Sequence, residues 1–456
     1  MCGSLTRHIM DYGTLLRQKA VTHQDKPFLI WDGVVLSYAA LLRRAEELAA
    51  RIRKEAPGHR LLGIWSKSPS SQLTAFLAAE LAGVVPVIIH EYMDGEKLAA
   101  FLDARPLSFL LRETADGWQM TVAHRAAPLP GAVCMGVLTS GTSGLPKELY
   151  RTYESWADFF PEQNHVFGIT ADSRTYIQGS LGFTGNLSIV LGLLGAGGTI
   201  IGTSSLRPKN WMQDIIARGV THLYMIPSKL SALVRAEGEA NSVAAIISGS
   251  QLMTPALLER LAAHFPHGRT ILYYGSTEMN YVSYIMGDEL LTHPGCVGRP
   301  FPGVAVSADD GELLVTTKGL VYGKTSPFRS GDLGRIDGDG CIHFLGRRAD
   351  QYNIKGNHVT KAELVACLKA IPGIQDADIL PFTTESGETK LAAFLVAADT
   401  SRSAVLSHLR AHLEPWKIPA RFLFLKEFPT TSTGKVDYEK LRELMDGGDE
   451  RQAGKN

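Results

Sequence analysis

Four times along the chain an apolar run at helical spacing ends in glycine and gives way to a short β-branched stretch. The copies are "SQLTAFLAAELAGVVPVII" (Ser71–Ile89), "SIVLGLLGAGGTIIG" (Ser188–Gly202), "NWMQDIIARGVTHLYMIPS" (Asn210–Ser228) and "TPALLERLAAHFPHGRTILYYGSTE" (Thr254–Glu278). A helix stopped at glycine and followed by a buried strand is half of a βαβ unit. Repetition of that unit predicts mainly parallel sheets with helices on their faces. The amphipathic run "SYAALLRRAEELAARIRKEA" (Ser37–Ala56), with Ser37 as N-cap, predicts one more such helix.

The pattern changes after about Pro294. "GELLVTTKG" and "GCIHFLGRR" alternate like antiparallel strands, with "DGDG" (Asp337–Gly340) as a hairpin turn. From Thr360 a smaller α+β pattern begins. The expected fold is α/β: a large N-terminal domain of αβ sheets plus a small β-subdomain, then a small α+β C-terminal domain. The polar, glycine-flanked "GRRADQYNIKG" places the boundary between residues 1–346 and 347–456.

Lys+Arg and Asp+Glu both number 46, so there is no basic excess for nucleic acid or anionic membranes. Five scattered cysteines without CxxC, and no HExxH, argue against a zinc site. The longest apolar stretch, Leu73–Ile89, is broken by Glu80 and Pro86, so no integral membrane segment is expected. The N-terminal stretch lacks an apolar core of signal-peptide type, and a cytoplasmic location is expected.

The densest chemistry lies in "VLTSGTSGLPKELYRTY" (Val137–Tyr153). An apolar strand runs into Thr139, Ser140, Gly141, Thr142, Ser143, Gly144 and then Lys147. Glycines let backbone N–H groups converge on an anion, and the hydroxyls and lysine add donors and charge. Neither the Walker A spacing nor the Rossmann fingerprint is met. "STGK" (Ser432–Lys435) matches SxxK of serine acyl-enzymes, but no SDN or KTG partner accompanies it.

At this loop the chain resembles the superfamily of AMP-forming acid:thiol ligases, which includes acyl-CoA synthetases, peptide-synthetase adenylation domains and firefly luciferase. Further blocks follow in that superfamily's order: "YYGSTEMN" (Tyr273–Asn280), "RSGDLGRI" (Arg329–Ile336), "GRRADQYNIKGNHVTKAEL" (Gly346–Leu364), "WKIPARF" (Trp416–Phe422) and "PTTSTGKVDYEKL" (Pro429–Leu441). The resemblance implies two steps: a carboxylate attacks the α-phosphorus of ATP to give acyl-AMP and pyrophosphate, and a thiol then displaces AMP. It implies that Thr139–Lys147 holds the β- and γ-phosphates and that Glu278 ligates Mg²⁺. It gives Thr277 to the α-phosphate and Tyr274, with Gly275 and Ser276, to the adenine. Asp332 and Arg347 fall to the ribose and phosphate, and Lys435 to a bridge between carboxylate and α-phosphate. The small C-terminal domain would be mobile, swinging about the Gly346–Lys355 segment between the two steps. Taken alone, Asp332 reads as a turn residue and Lys435 as surface charge. The chain departs from the pattern at Ala349, where relatives carry Asp or Lys, with the acid one later at Asp350, and at Asn353 and His358.

The acid pocket implied by the resemblance comprises Phe183, Thr184, Gly185, Asn186, Ser248, Gly249, Met279 and Asn280. The Phe183–Asn186 stretch carries no carboxylate to pair with an ammonium, which favours a non-amino acyl or aryl acid. Coenzyme A is the first expectation for the thiol and the arm of an acyl or peptidyl carrier protein the second. An inactive nucleotide-binding sensor, suggested by Ala349 alone, is the reading from another class.

Overall fold

The computed structural model describes residues 11–105, 107–123, 128–139, 146–293, 295–354, 357–384, 388–397, 400–430 and 436–447. They divide into two compact units, residues 1–306 with 315–328 and residues 307–314 with 329–456.

In the first unit, a nine-stranded sheet among the described residues is built on parallel neighbours. Pro27–Trp31 pairs with Thr199–Thr203, which pairs with Arg174–Gln178. His222–Tyr224, Ala245–Ser248 and Arg269–Ser276 continue the parallel set. The expected helix–glycine–strand units are present. Helices Pro69–Ala82 and Thr184–Ala196 end at Gly83 (φ 74°) and Gly197 (φ 89°), in the left-handed conformation that glycine adopts without steric cost. The Ser37 N-cap is as the sequence suggests, its side chain accepting from Ala40 N, and the Thr254 side chain caps its helix by accepting from Leu257 N.

Alternation along the strands explains why helices cover both faces. Tyr176, Ile201, Leu223 and Ile246 pack with Trp211, Ile215, Leu230, Leu261 and Phe265. Their neighbours Ile177, Ile200, Tyr224 and Ile247 belong to the other core, with Leu16, Leu41, Leu48, Phe76 and Ile189. Each fully buried Leu, Ile or Phe contributes roughly 1.5–3 kcal/mol, so the strand ends rest on a rigid support. A smaller sheet runs Val85–Ile89, Leu61–Trp65, Phe109–Thr114, Gly117–Val122, and Met135–Thr139 forms a hairpin with Lys147–Arg151. No helix among the described residues is long and apolar enough to cross a membrane.

In the second unit, Phe328–Ile336 and Ile342–Arg347 form the expected hairpin across Asp337–Gly340. The Asp337 carboxylate closes the turn by accepting from Asp339 N (3.1 Å) and Cys341 N (2.9 Å). Beyond it, Ile374–Thr383, Thr389–Ala397 and Arg421–Leu425 form a three-stranded sheet. Its core includes Leu364, Leu368, Ile379, Leu395, Val405 and Leu409 from the sheet and two helices. The architecture is therefore the expected α/β type with an α+β C-terminal part.

Candidate active site

The parallel strands of the large sheet all end on one edge, and the chain leaves that edge at Gln178, Tyr224, Ser248 and Ser276. In open parallel sheets, ligands bind beyond these carboxyl ends. Three sequence-predicted segments meet there.

The first is 179–186, which turns tightly before its helix. The Ser180 carbonyl accepts from Asn186 Nδ2 (2.9 Å), and its hydroxyl from Gly182 N (3.1 Å). Gly185 lies against Tyr224, where a Cβ would stand 2.4 Å from the phenol oxygen. Gly249, of the second segment, is pressed against the Tyr273 ring at the same distance. The two tyrosines stack and share a hydrogen bond of 2.5 Å, giving this region a rigid aromatic floor. Beside it the Ser248 hydroxyl is buried and has no hydrogen-bond partner among the described residues.

The third segment is the tip of a hairpin. Arg269–Ser276 turns back into Asn280–Met286, with a bulge between Tyr274 and Gly275, so Thr277–Met279 form the tip. Gly275 is required there, because a Cβ would sit 2.2 Å from the Asn280 carbonyl oxygen. The backbone of the tip is held from three sides. Glu278 N donates to Ser276 Oγ (3.2 Å), Val321 N donates to the Glu278 carbonyl (2.9 Å), and Arg151 donates to the Thr277 carbonyl. Thr277 Oγ1 lies 3.3 Å from Thr184 Oγ1, which joins the tip to the first segment. The half-buried Glu278 carboxylate makes no hydrogen bond or ion pair among the described residues, leaving hard oxygen ligands for a cation. The Met279 side chain packs into an apolar cluster with Val282, Val315 and Leu320, and half-buried Tyr274 packs on that cluster. Asn280, at φ 62°, closes the turn and has a buried Nδ2 without a partner among the described residues.

Sequence reasoning did not single out Arg151. This guanidinium is fully buried, and burial pushes its pKa down to about 10. It donates to the carbonyls of Ser155 (3.2 Å), Gly319 (2.5 Å) and Thr277 and stacks on Trp156. One signal was present: alternation along Lys147–Arg151 places Arg151 on the same strand face as Leu149. Lys229 was also missed, because it stands in the first turn of a short helix, Pro227–Leu233, between Ser228 and Ser231, where a lysine reads as surface charge. Its ammonium donates to the Gln178 carbonyl (2.8 Å), and burial lowers its pKa to about 8 against the raising influence of Glu91.

The glycine-rich loop has a defined stem. Thr139 pairs with Lys147 across the hairpin, and Arg105 Nε donates to the Pro146 carbonyl (2.9 Å). Ser140, Gly141, Thr142, Ser143 and Gly144 lie outside the described residues.

In the second unit, Asp332 and Arg347 are cross-strand partners with an Oδ1–Nε distance of 3.4 Å. Asp332 is buried and Arg347 exposed, an arrangement in which one cation orients one carboxylate at the sheet surface. Lys435 lies outside the described residues. The stem of its loop is paired, with Thr430 bridged to Val436 and Asp437 N donating to the Pro429 carbonyl (2.8 Å). Tyr438, next along, is anchored by hydrogen bonds with Asp378 (3.0 Å) and Lys361 (2.9 Å). Ala349 is exposed in a single 3₁₀ turn, Arg348–Asp350.

Residues 112–322 match the family model described as AMP-binding enzyme. The chain is 25% identical to the uncharacterised acyl-CoA ligase YhfT of Bacillus subtilis (strain 168), over 68% of each chain. It is also 25% identical to a component of the plipastatin synthase of the same organism, over 94% of this chain but only 19% of that much longer protein. The fold matches O-succinylbenzoate coenzyme A synthetase (MenE) from Bacillus subtilis, solved in complex with ATP and magnesium ion. That match has a TM-score of 0.81 at 20% identity and covers 94% of this chain and 99% of that one.

Proposed function

We propose that the chain is an adenylate-forming enzyme that activates a non-amino carboxylic acid with ATP, forming acyl-AMP and pyrophosphate, and passes the acyl group to the thiol of coenzyme A. The observation that carries this reading is the junction at the strand ends. The Thr277–Glu278 tip and the Phe183–Asn186 segment meet through the Thr277–Thr184 contact of 3.3 Å. A carboxylate held by the second segment would lie beside a phosphate held by the first, as attack on the α-phosphorus requires.

In this reading Glu278 would hold Mg²⁺, which would offset the negative charge of the phosphates. The Thr277 hydroxyl donates to the α-phosphate. Thr139–Lys147 carries the pyrophosphate end, and Tyr274 with Gly275 and Ser276 borders the adenine. Asp332 accepts from the ribose hydroxyls, with Arg347 orienting it. Lys435 stabilises the charge that develops between the two anions. The acid lies between Phe183–Asn186, Ser248–Gly249 and the Met279–Asn280 turn. Residues 1–346 act as the core and 347–456 as the domain that moves between the steps, in the cytoplasm.

A second acceptor, the thiol of a carrier protein, is favoured by one observation, the likeness to the plipastatin synthase component along 94% of this chain. ATP–pyrophosphate exchange with a panel of acids tests the first step, and thioester formation with coenzyme A or a loaded carrier tests the second. Exchange with amino acids alone would contradict the acid class. ATP binding without exchange for any acid would favour a nucleotide sensor.

A further inference from the structure

Resting on the adenylation reading above, we propose that Lys229 is a specificity-determining residue of the acid pocket and that the substrate is a compact acid bearing a second carboxylate, which Lys229 binds.

The ammonium converges with the acid segment on one point. A Cβ built on Gly179 would lie 2.9 Å from Lys229 Nζ, 3.7 Å from Asn186 Nδ2 and 3.9 Å from the Phe183 ring. Gly179 itself has φ 108°, a left-handed conformation that keeps a side chain out of this space. Three side chains of different chemistry therefore face the first turn after the strand Arg174–Gln178, where the expected pocket begins.

The ammonium has donors to spare. Of its three N–H groups, one is accounted for by the Gln178 carbonyl, and no carboxylate lies within 4.0 Å among the described residues. Glu91 acts on it only at longer range, and burial outweighs that influence in setting its proton affinity. A cation placed this way is costly in the empty pocket and favourable once an anion arrives.

The surroundings limit the size of that anion's carrier. The floor is the hydrogen-bonded Tyr224–Tyr273 pair, with Gly185 and Gly249 pressed directly against it. On another side, His90 stacks on Tyr92 and lies 4.7 Å from the Phe183 ring, with Gly182 directly against its Nδ1. These packed rings and close-set glycines favour a compact acid over a long alkyl chain.

The test is ATP–pyrophosphate exchange by the wild type, Lys229→Met and Lys229→Arg, using short dicarboxylic acids of graded length and the monoacids of the same shape. The wild type is expected to prefer the best diacid over its monoacid counterpart by about 100-fold in kcat/KM. Lys229→Met should lose about 10²–10³-fold on the diacid and stay within about threefold on the monoacid, and Lys229→Arg should recover part of the diacid activity. A wild-type preference for the monoacid overturns the proposal, as does an equal loss on both classes in Lys229→Met, the signature of a purely structural lysine. If Lys229→Met does not fold, the wild-type preference decides alone. Absence of exchange with every acid would instead overturn the adenylation reading, and this proposal with it.

Discussion

Arg151 is a fully buried cation of the first unit and Lys229 a half-buried one, and the fold uses them in opposite ways. Arg151 joins several parts of the protein: its two terminal nitrogens donate to the carbonyls of Ser155, Gly319 and Thr277, its guanidinium lies over the Trp156 ring, and its buried Nε has no partner among the described residues. Lys229 is held by one carbonyl, at the mouth of the strand Arg174–Gln178. The first arrangement stitches together backbone segments that lie far apart in sequence and so fixes the hairpin tip carrying Glu278. The second leaves a charge facing the segment where the acid is expected. A buried cation whose donors tie several backbone carbonyls together is structural, and one held by a single carbonyl is poised for a ligand.

The contrast can be tested in order of expected effect. Arg151→Met should be the most damaging change. It strips donors from three backbone carbonyls, and we expect a loss of about 3 kcal/mol in urea unfolding together with a large fall in exchange activity. Stability within about 0.5 kcal/mol of wild type would show that Arg151 is not the stitch described here. Lys435→Ala should leave stability unchanged and slow adenylation by about 10²–10³-fold, with ATP affinity preserved. Unaltered exchange would remove Lys435 from the reaction.

Glu278→Gln should also spare stability, because the tip is held through backbone groups and Arg151 rather than through this carboxylate. It should raise the Mg²⁺ concentration needed for half-maximal exchange by about tenfold or more. An unchanged Mg²⁺ dependence would count against Glu278 as a ligand.

The smallest effect concerns the other cation. The folded pKa of Lys229 lies near 8, below the usual 10.5, so the unfolded chain binds more protons between these values. Its burial therefore costs stability fully below about pH 8, and the cost is relieved as pH rises towards 10.5. Lys229→Met should be the more stable protein near neutral pH by on the order of 1–2 kcal/mol, with the advantage shrinking at alkaline pH. A destabilised Lys229→Met would place Lys229 with Arg151 as a structural cation.

Much of the fold was legible because it is written locally. Gly83 and Gly197 end their helices where the apolar period stops, Ser37 caps its helix, and Asp337 marks its turn. The Glu278 hairpin was less legible. "YYGSTEMN" reads as the end of a buried strand, but the antiparallel return depends on a bulge at Gly275 and a positive φ at Asn280. The two cations were barely legible. Arg151 finds acceptors 126 and 168 residues away, and Lys229 one 51 residues away, so beyond the strand alternation that puts Arg151 on the face of Leu149 little nearby announces their roles. Local composition points to an exposed charge in each case, and tertiary structure reverses it.

The most direct measurement is ATP–pyrophosphate exchange by the intact protein with a broad panel of carboxylic acids, including diacids, monoacids, aromatic acids and amino acids, in the presence of Mg²⁺. The account predicts exchange that depends on a non-amino acid and on Mg²⁺. ATP binding without exchange, for every acid in the panel, would contradict it.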